Sequence, residues 1–298
     1  MMRIKAIAFL LVLFAAVRLY SIGSDYESFD ISFNENDSPI ILLPINGELV
    51  PLMIDTGALG MGLSLDLDII SKLTDLKEMG VDRYIDFTGK QSEVKQYQLS
   101  SLRIGNLEYK NIIVNEYTKW GLYSKDSQNF HSKHPIKGVI AMQFLKQYPF
   151  ILDYVNDKFV LLSHTSVTPS NIYNRTDWTK IRFGLNSDGL ELSAVFGKNK
   201  FGKLDLDTGS TISIIKPYIV PFSEIRDDCM LKFEGQDKCR YFISENLMID
   251  GQNFGAQPFI LYKFEGPATV GILGSDFLDN KIIFFNFQDR YMQVKHNK

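Results

Sequence analysis

Leu52-Met53-Ile54-Asp55-Thr56-Gly57 and Leu204-Asp205-Leu206-Asp207-Thr208-Gly209-Ser210 decide the fold, because the same Asp-Thr-Gly closes an apolar, strand-like run once in each half of the chain. One copy alone says little, since Asp and Gly are ordinary residues of strand-ending turns. Here the surroundings repeat as well. After the first copy come Gly138-Val139-Ile140-Ala141-Met142-Gln143-Phe144-Leu145 and Phe150-Ile151-Leu152-Asp153-Tyr154. After the second come Gly271-Ile272-Leu273-Gly274-Ser275-Asp276-Phe277-Leu278 and Ile282-Ile283-Phe284-Phe285-Asn286-Phe287. Between these blocks, Leu102-Arg103-Ile104-Gly105-Asn106 with Ile112-Ile113-Val114 matches Leu247-Met248-Ile249-Asp250-Gly251 with Pro258-Phe259-Ile260-Leu261. Three elements recurring in one order predict two copies of one structural unit.

Working outward, the chain reads as all-β. Short apolar or alternating runs rich in aromatic and β-branched residues, such as Ile40 to Leu43 and Lys158 to Leu162, lie between Gly, Asn and Asp turns. The best helix candidate is 66–76, where Leu67, Ile70 and Leu73 fall on one face. A polar stretch from Ser163 through Pro169 to Asp177 separates the halves. The expected organisation is a signal segment over 1–23, a first lobe over 24–165, a linker over 166–177 and a second lobe over 178–298.

With 298 residues, 45% apolar and 22% charged, the chain can bury two ordinary cores and carries no disorder signature. Its net charge of -3 argues against nucleic acid as a partner. Arg3 and Lys5, the apolar run Ala6 to Val17, and small residues around Ser21, Gly23 and Ser24 form the pattern of a secretory signal peptide. That predicts an exported protein, periplasmic or secreted, with an uncleaved anchor as the other reading. No later stretch is long and apolar enough for a stable membrane span. In an oxidising compartment Cys229 and Cys239, flanking a hairpin-like segment, are expected to form a disulfide; two buried thiols are the alternative. His131 and His134 lack a third ligand nearby in sequence, so no metal is expected. The stretch 115–135, with Tyr117, Trp120, Tyr123 and Phe130, reads either as a pocket-shaping loop or as a surface insertion.

At the two Asp-Thr-Gly units and at Ile272-Leu273-Gly274 the chain resembles the pepsin and retropepsin superfamily of aspartic peptidases, in its two-lobed, single-chain form, over residues 40–294. The resemblance implies two similar β-barrel-like lobes with the active site in the cleft between them. It implies a catalytic pair, Asp55 and Asp207, sharing one proton, because two like charges so close cannot both ionise cheaply. Thr56 and Thr208 would hydrogen-bond across to the opposite loop, while Gly57 and Gly209 would let backbone N–H groups reach the carboxylates. Ser210 can donate a hydroxyl to Asp207 and Ala58 cannot do so for Asp55, which predicts Asp207 as the initial base and Asp55 as the proton holder. The first lobe departs from the pattern at Ala141, where the second has Gly274.

By the same resemblance a hairpin from the first lobe should cover the cleft. Tyr84, Phe87, Thr88 and Gly89 are its substrate-binding candidates, although the segment also reads as an ordinary turn, and no Trp follows Gly57 as it does in pepsins. The basic pro-segment of zymogens has no counterpart in the acidic stretch Asp25 to Asp37, so activity without an inhibitory segment is expected. The implied function is an exported, monomeric, cofactor-free endopeptidase acting on an extended polypeptide. The alternative is a peptide-binding or inhibitor-like protein that keeps the fold without turnover.

Overall fold

The computed structural model describes residues 25–34, 37–58, 60–85, 91–118, 135–164, 167–173, 177–186, 189–197, 200–227, 229, 239–264 and 268–296. Among these residues, strands join into one sheet of thirteen and one of nine, and the helices are single turns. The all-β expectation holds.

Strand pairing begins with turn chemistry. Pro39–Ile45 and Glu48–Asp55 pair antiparallel, with Ile45 opposite Glu48. Asn46 and Gly47 between them both have positive φ, 52° and 83°, as a two-residue hairpin turn of matching twist requires. Along Glu48–Asp55, alternation sends Val50, Leu52 and Ile54 into the core and leaves Met53 on the opposite face.

The predicted repeat is real and topological. In the first half Glu48–Asp55 runs parallel to Gly138–Ala141, which pairs antiparallel with Leu63–Leu65, itself parallel to Leu107–Glu116. In the second half Lys200–Leu206 runs parallel to Gly271–Leu273, which pairs antiparallel with Ile214–Ile215, itself parallel to Gln257–Leu261. Each Asp-Thr-Gly therefore leaves the end of a strand that lies beside the later Gly-initiated apolar strand of its own half.

The halves are joined by shared sheet. Phe150–Asp153 of the first half pairs antiparallel with Lys281–Asn286 of the second, and Tyr26–Phe33, Lys158–Leu162, Thr179–Arg182 and Tyr291–His296 continue that sheet on either side. Phe150 stacks on Phe285 at 4.7 Å between ring centroids. A single large apolar cluster consequently runs through both halves, where composition alone gave room for two separate cores.

Other expectations change on folding. The helix expected over 66–76 shrinks to Leu67–Ile70, because Leu76 is taken into a strand opposite Leu99 and Asp75 adopts a positive φ of 60°. Leu67 is exposed, and the buried face is Ile69 and Ile70. Cys229 and Cys239 are bonded, with Cα atoms 5.3 Å apart, which settles that alternative. The signal segment, His131, His134, Trp120, Tyr123 and Phe130 lie outside the described residues. Among the described residues no helix is long and apolar enough to cross a membrane.

The acidic stretch after residue 24 is structural. Tyr26–Phe33 pairs with Lys158–Leu162 on one side and with Pro39–Ile45 on the other, and Ile31 is buried. Removing residues 25–33 strips a strand from the shared sheet. The expected outcome is loss of soluble, cooperatively unfolding protein, with no gain of activity; thermal unfolding followed by circular dichroism checks it.

Candidate active site

The two Asp-Thr-Gly loops meet, tip to tip, through four hydrogen bonds between Thr56 and Thr208 and their surroundings. Thr56 N–H donates to Thr208 Oγ1 and Thr208 N–H to Thr56 Oγ1, each at 3.0 Å. The Thr56 hydroxyl donates to the Leu206 carbonyl at 2.9 Å, and the Thr208 hydroxyl to the Ile54 carbonyl at 2.8 Å. Both threonines are fully buried. Each hydroxyl acts as donor and acceptor at once, which only Thr or Ser provides at this size.

Above this brace the carboxyls face each other. Asp55 Oδ1 accepts from the N–H groups of Gly57, at 2.8 Å, and Ala58, at 3.0 Å. Asp207 Oδ1 accepts from Gly209 N–H at 2.8 Å. The glycines are reciprocal: a Cβ on Gly57 would lie 2.4 Å from Asp207 Cγ, and one on Gly209 would lie 2.6 Å from Asp55 Cγ. No side chain fits there, because each carboxyl occupies the space over the other loop's glycine.

Electrostatics follow from this geometry. Burial, then the charge of Asp207 and a hydrogen bond with it, push the Asp55 carboxyl well above the usual carboxylate range. Burial also raises Asp207, but N–H groups of Gly209, Ser210 and Gly57 and the hydrogen bond from Asp55 oppose the rise. Both carboxyls are raised and in contact, so their titration belongs to the pair rather than to either residue. The hydroxyl contact expected to distinguish the two carboxyls is not made. The Ser210 hydroxyl does not reach Asp207; it donates to the Ile212 carbonyl at 2.7 Å, because the loop turns back at that point.

The strands behind the loops fit closely. A Cβ on Gly274 would lie 2.6 Å from the Ile212 carbonyl carbon and 2.7 Å from the Ser210 oxygen. The first lobe tolerates Ala141 at the corresponding place, where its N–H donates to the Gly62 carbonyl at 2.8 Å and its methyl is buried with Met61 and Val139. Behind the second loop lies a buried polar group missed by sequence reasoning. Ser213 donates to Asp276 at 2.7 Å and accepts from Gly274 N–H at 3.1 Å, and the Gln257 amide donates to Asp276 at 3.1 Å. Ser275 donates to the Thr208 carbonyl at 3.1 Å. Gly-Ser-Asp after an apolar strand was the only available signal, and Gln257 is contributed by a distant strand.

Leu76–Ile85 and Gln91–Ile104, the segments flanking the hairpin expected to cover the cleft, pair as two antiparallel arms with a register shift between Glu78 and Gly80. Phe87, Thr88 and Gly89 lie outside the described residues. Tyr84 packs with Ala58, Met53 and Met61 beside the Asp55 loop, its ring 3.0 Å from where a Cβ on Gly60 would sit. Among the described residues no cluster of His, Cys, Asp and Glu has the makings of a metal site.

No protein-family model matches this chain, and no curated protein matches it in sequence. Solved structures do. Basic 7S globulin from soybean superposes with a TM-score of 0.61 at 10% identity, over 92% of this chain and 95% of that one. An aspartic proteinase from Irpex lacteus superposes with a TM-score of 0.55 at 10% identity, over 92% of this chain and 98% of that one. These likenesses show the two-lobed, all-β, pepsin-like fold.

Two outcomes are expected of this geometry. Thr56→Val and Thr208→Val each leave a buried N–H and a buried carbonyl unmet, at about 1–3 kcal/mol per orphaned group; denaturant midpoints at unchanged m-value measure the loss. The second outcome concerns pH. Both carboxyls have folded values raised above their unfolded values, so their contribution to stability is fully present below the ordinary carboxylate value and is lost as pH rises through the raised values. Asp55→Asn is therefore expected to unfold at a higher temperature than the wild type at pH 7, with the gap closing below about pH 4.

Proposed function

We propose that the protein is an exported aspartic endopeptidase that hydrolyses a peptide bond of an extended polypeptide lying between the lobes. The observation that carries this reading is the reciprocal pairing of Asp55 and Asp207, two raised carboxyls in contact over loops locked by Thr56 and Thr208. The reaction then needs nothing but water. Ionised Asp207 takes a proton from a water placed between the carboxyls, while Asp55 gives its proton to the carbonyl oxygen of the scissile bond. The resulting hydroxyl attacks the carbonyl carbon and forms a neutral gem-diol. Collapse breaks the C–N bond as the amine nitrogen takes the proton from Asp207, while ionised Asp55 takes a proton from one gem-diol hydroxyl, leaving a carboxylic acid and an amine and restoring the pair. Gly57, Gly209 and the N–H of Ser210 support the pair, and Tyr84 belongs to the substrate-binding side.

Both carboxyls come from one chain, so the site is complete without a second copy and a monomer suffices. Export rests on the basic-then-apolar start of the sequence and agrees with the Cys229–Cys239 bridge. The lobes at 24–165 and 178–298 with a linker at 166–177 belong to the same proposal.

The test is cleavage of a mixed peptide library from pH 3 to 8. Asp55→Asn and Asp207→Asn are each expected to abolish turnover while leaving the protein folded, and kcat/KM is expected to follow a bell with pH. Ser210→Ala is expected to leave both limbs where they are, because its hydroxyl is spent on Ile212. Substantial cleavage by either Asn variant would falsify the mechanism. A second reading, a peptide-binding protein without turnover, is favoured by one observation: a fold neighbour carries the name of a globulin rather than of an enzyme. Tight peptide binding by a wild type that cleaves nothing would select it.

A further inference from the structure

The arms of the Leu76–Ile85 and Gln91–Ile104 hairpin are tied to the body of the first lobe by a short run of side-chain hydrogen bonds. The Asn115 amide donates to Tyr84 Oη at 2.8 Å. Tyr84 Oη donates in turn to Asp82 Oδ2 at 3.2 Å, and the Gln96 amide donates to the same oxygen at 3.2 Å. Strand register explains why Asn115 is available. Ile112 and Val114 of its strand face the core, so Asn115 lies on the other face, opposite Gln96 and next to Ser64. That face also carries Met53, Val139 and Ala141, against which the Asp55 loop and the Tyr84 ring pack.

Asn115 is unusual for such a position. It is completely buried, and its Oδ1 has no hydrogen-bond partner among the described residues. An apolar residue of the same size would avoid that penalty. What the amide supplies and an apolar residue cannot is a donor to Tyr84. Tyr84 Oη already donates to Asp82, and burial together with the Asp82 carboxylate pushes the phenol above its ordinary value so that it keeps that proton. The phenol oxygen can then only accept from Asn115.

We propose that Asn115 is a positioning residue that holds the hairpin arms at a fixed height over the Asp55 loop through Tyr84, and so sets how tightly an extended polypeptide is bound. It acts on binding, not on proton transfer, since it touches neither carboxyl. This inference rests on the peptidase reading for its consequence, but the anchor itself is measurable without any substrate.

The experiment compares the wild type with Asn115→Leu, Tyr84→Phe and the double variant, by amide hydrogen exchange and by peptide kinetics. Tyr84→Phe keeps the ring and removes only the hydroxyl, so it remains informative if Asn115→Leu does not fold. Exchange over 76–85 and 91–97 is expected to speed up by about 2- to 10-fold in Asn115→Leu, the range that loss of one hydrogen bond allows, and by at least as much in Tyr84→Phe, which also loses the bond to Asp82. The double variant is expected to match Tyr84→Phe, because that variant already lacks the bond Asn115 makes. KM is expected to rise by the same order with kcat within about two-fold, the signature of lost uniform binding. Unchanged exchange in the arms of Tyr84→Phe overturns the proposal. So does equal acceleration along Glu48–Asp55, or a fall in kcat at constant KM. If the wild type cleaves no peptide, the peptidase reading fails while the exchange data still decide the anchor.

Discussion

Everything at the centre of this molecule depends on two buried threonines exchanging hydrogen bonds across the boundary between the halves. Thr56 and Thr208 each satisfy the other's N–H and a carbonyl on the opposing strand, so neither loop is complete without its counterpart. Buried donors and acceptors left unpaired are costly, and reciprocity removes that cost for four groups in one arrangement. The carboxyls one residue earlier are consequently fixed in position by bonds that do not involve them.

That rigidity permits the electrostatics. Placing two acids in contact, largely out of water, destabilises the ionised state of at least one of them, and the free energy must come from elsewhere in the fold. The shared sheet is one source. Phe150–Asp153 against Lys281–Asn286, with Phe150 stacked on Phe285, merges the two apolar cores and prevents the halves from separating to relieve the repulsion. The N–H groups that the loops turn toward Asp55 and Asp207 are a second source, since each favours the ionised form of the carboxyl it meets. A hydroxyl at Ser210 is unnecessary for this.

The two halves have diverged where the repeat does not constrain them. Gly274 is enclosed by the backbone of the loop before it, whereas Ala141 lodges its methyl in a pocket with Met61 and Val139. The second half backs its loop with Ser213, Gln257 and Asp276, and the first instead carries the Asn115 and Tyr84 pair on its outer sheet face. One lobe thereby stiffens its active loop from behind, and the other steadies the hairpin in front.

Much was legible in the sequence because it was written twice. Asp55-Thr56-Gly57 and Asp207-Thr208-Gly209, each followed by its apolar strand, made the repeated unit readable, short apolar runs between turn residues made the all-β class readable, and the family resemblance of the two tripeptides pointed to the residues that would meet. Alternation along Glu48–Asp55 and the Asn46-Gly47 turn were equally local and equally readable. What only the tertiary structure decided were relations between distant residues. The direction of the Ser210 hydroxyl depends on where the Ile212 carbonyl folds back, and the truncation of the 66–76 helix depends on Leu76 finding Leu99. The Asn115 contact with Tyr84 exists because strand register sets them on one face, and register is fixed by pairing across the sheet rather than by either segment alone.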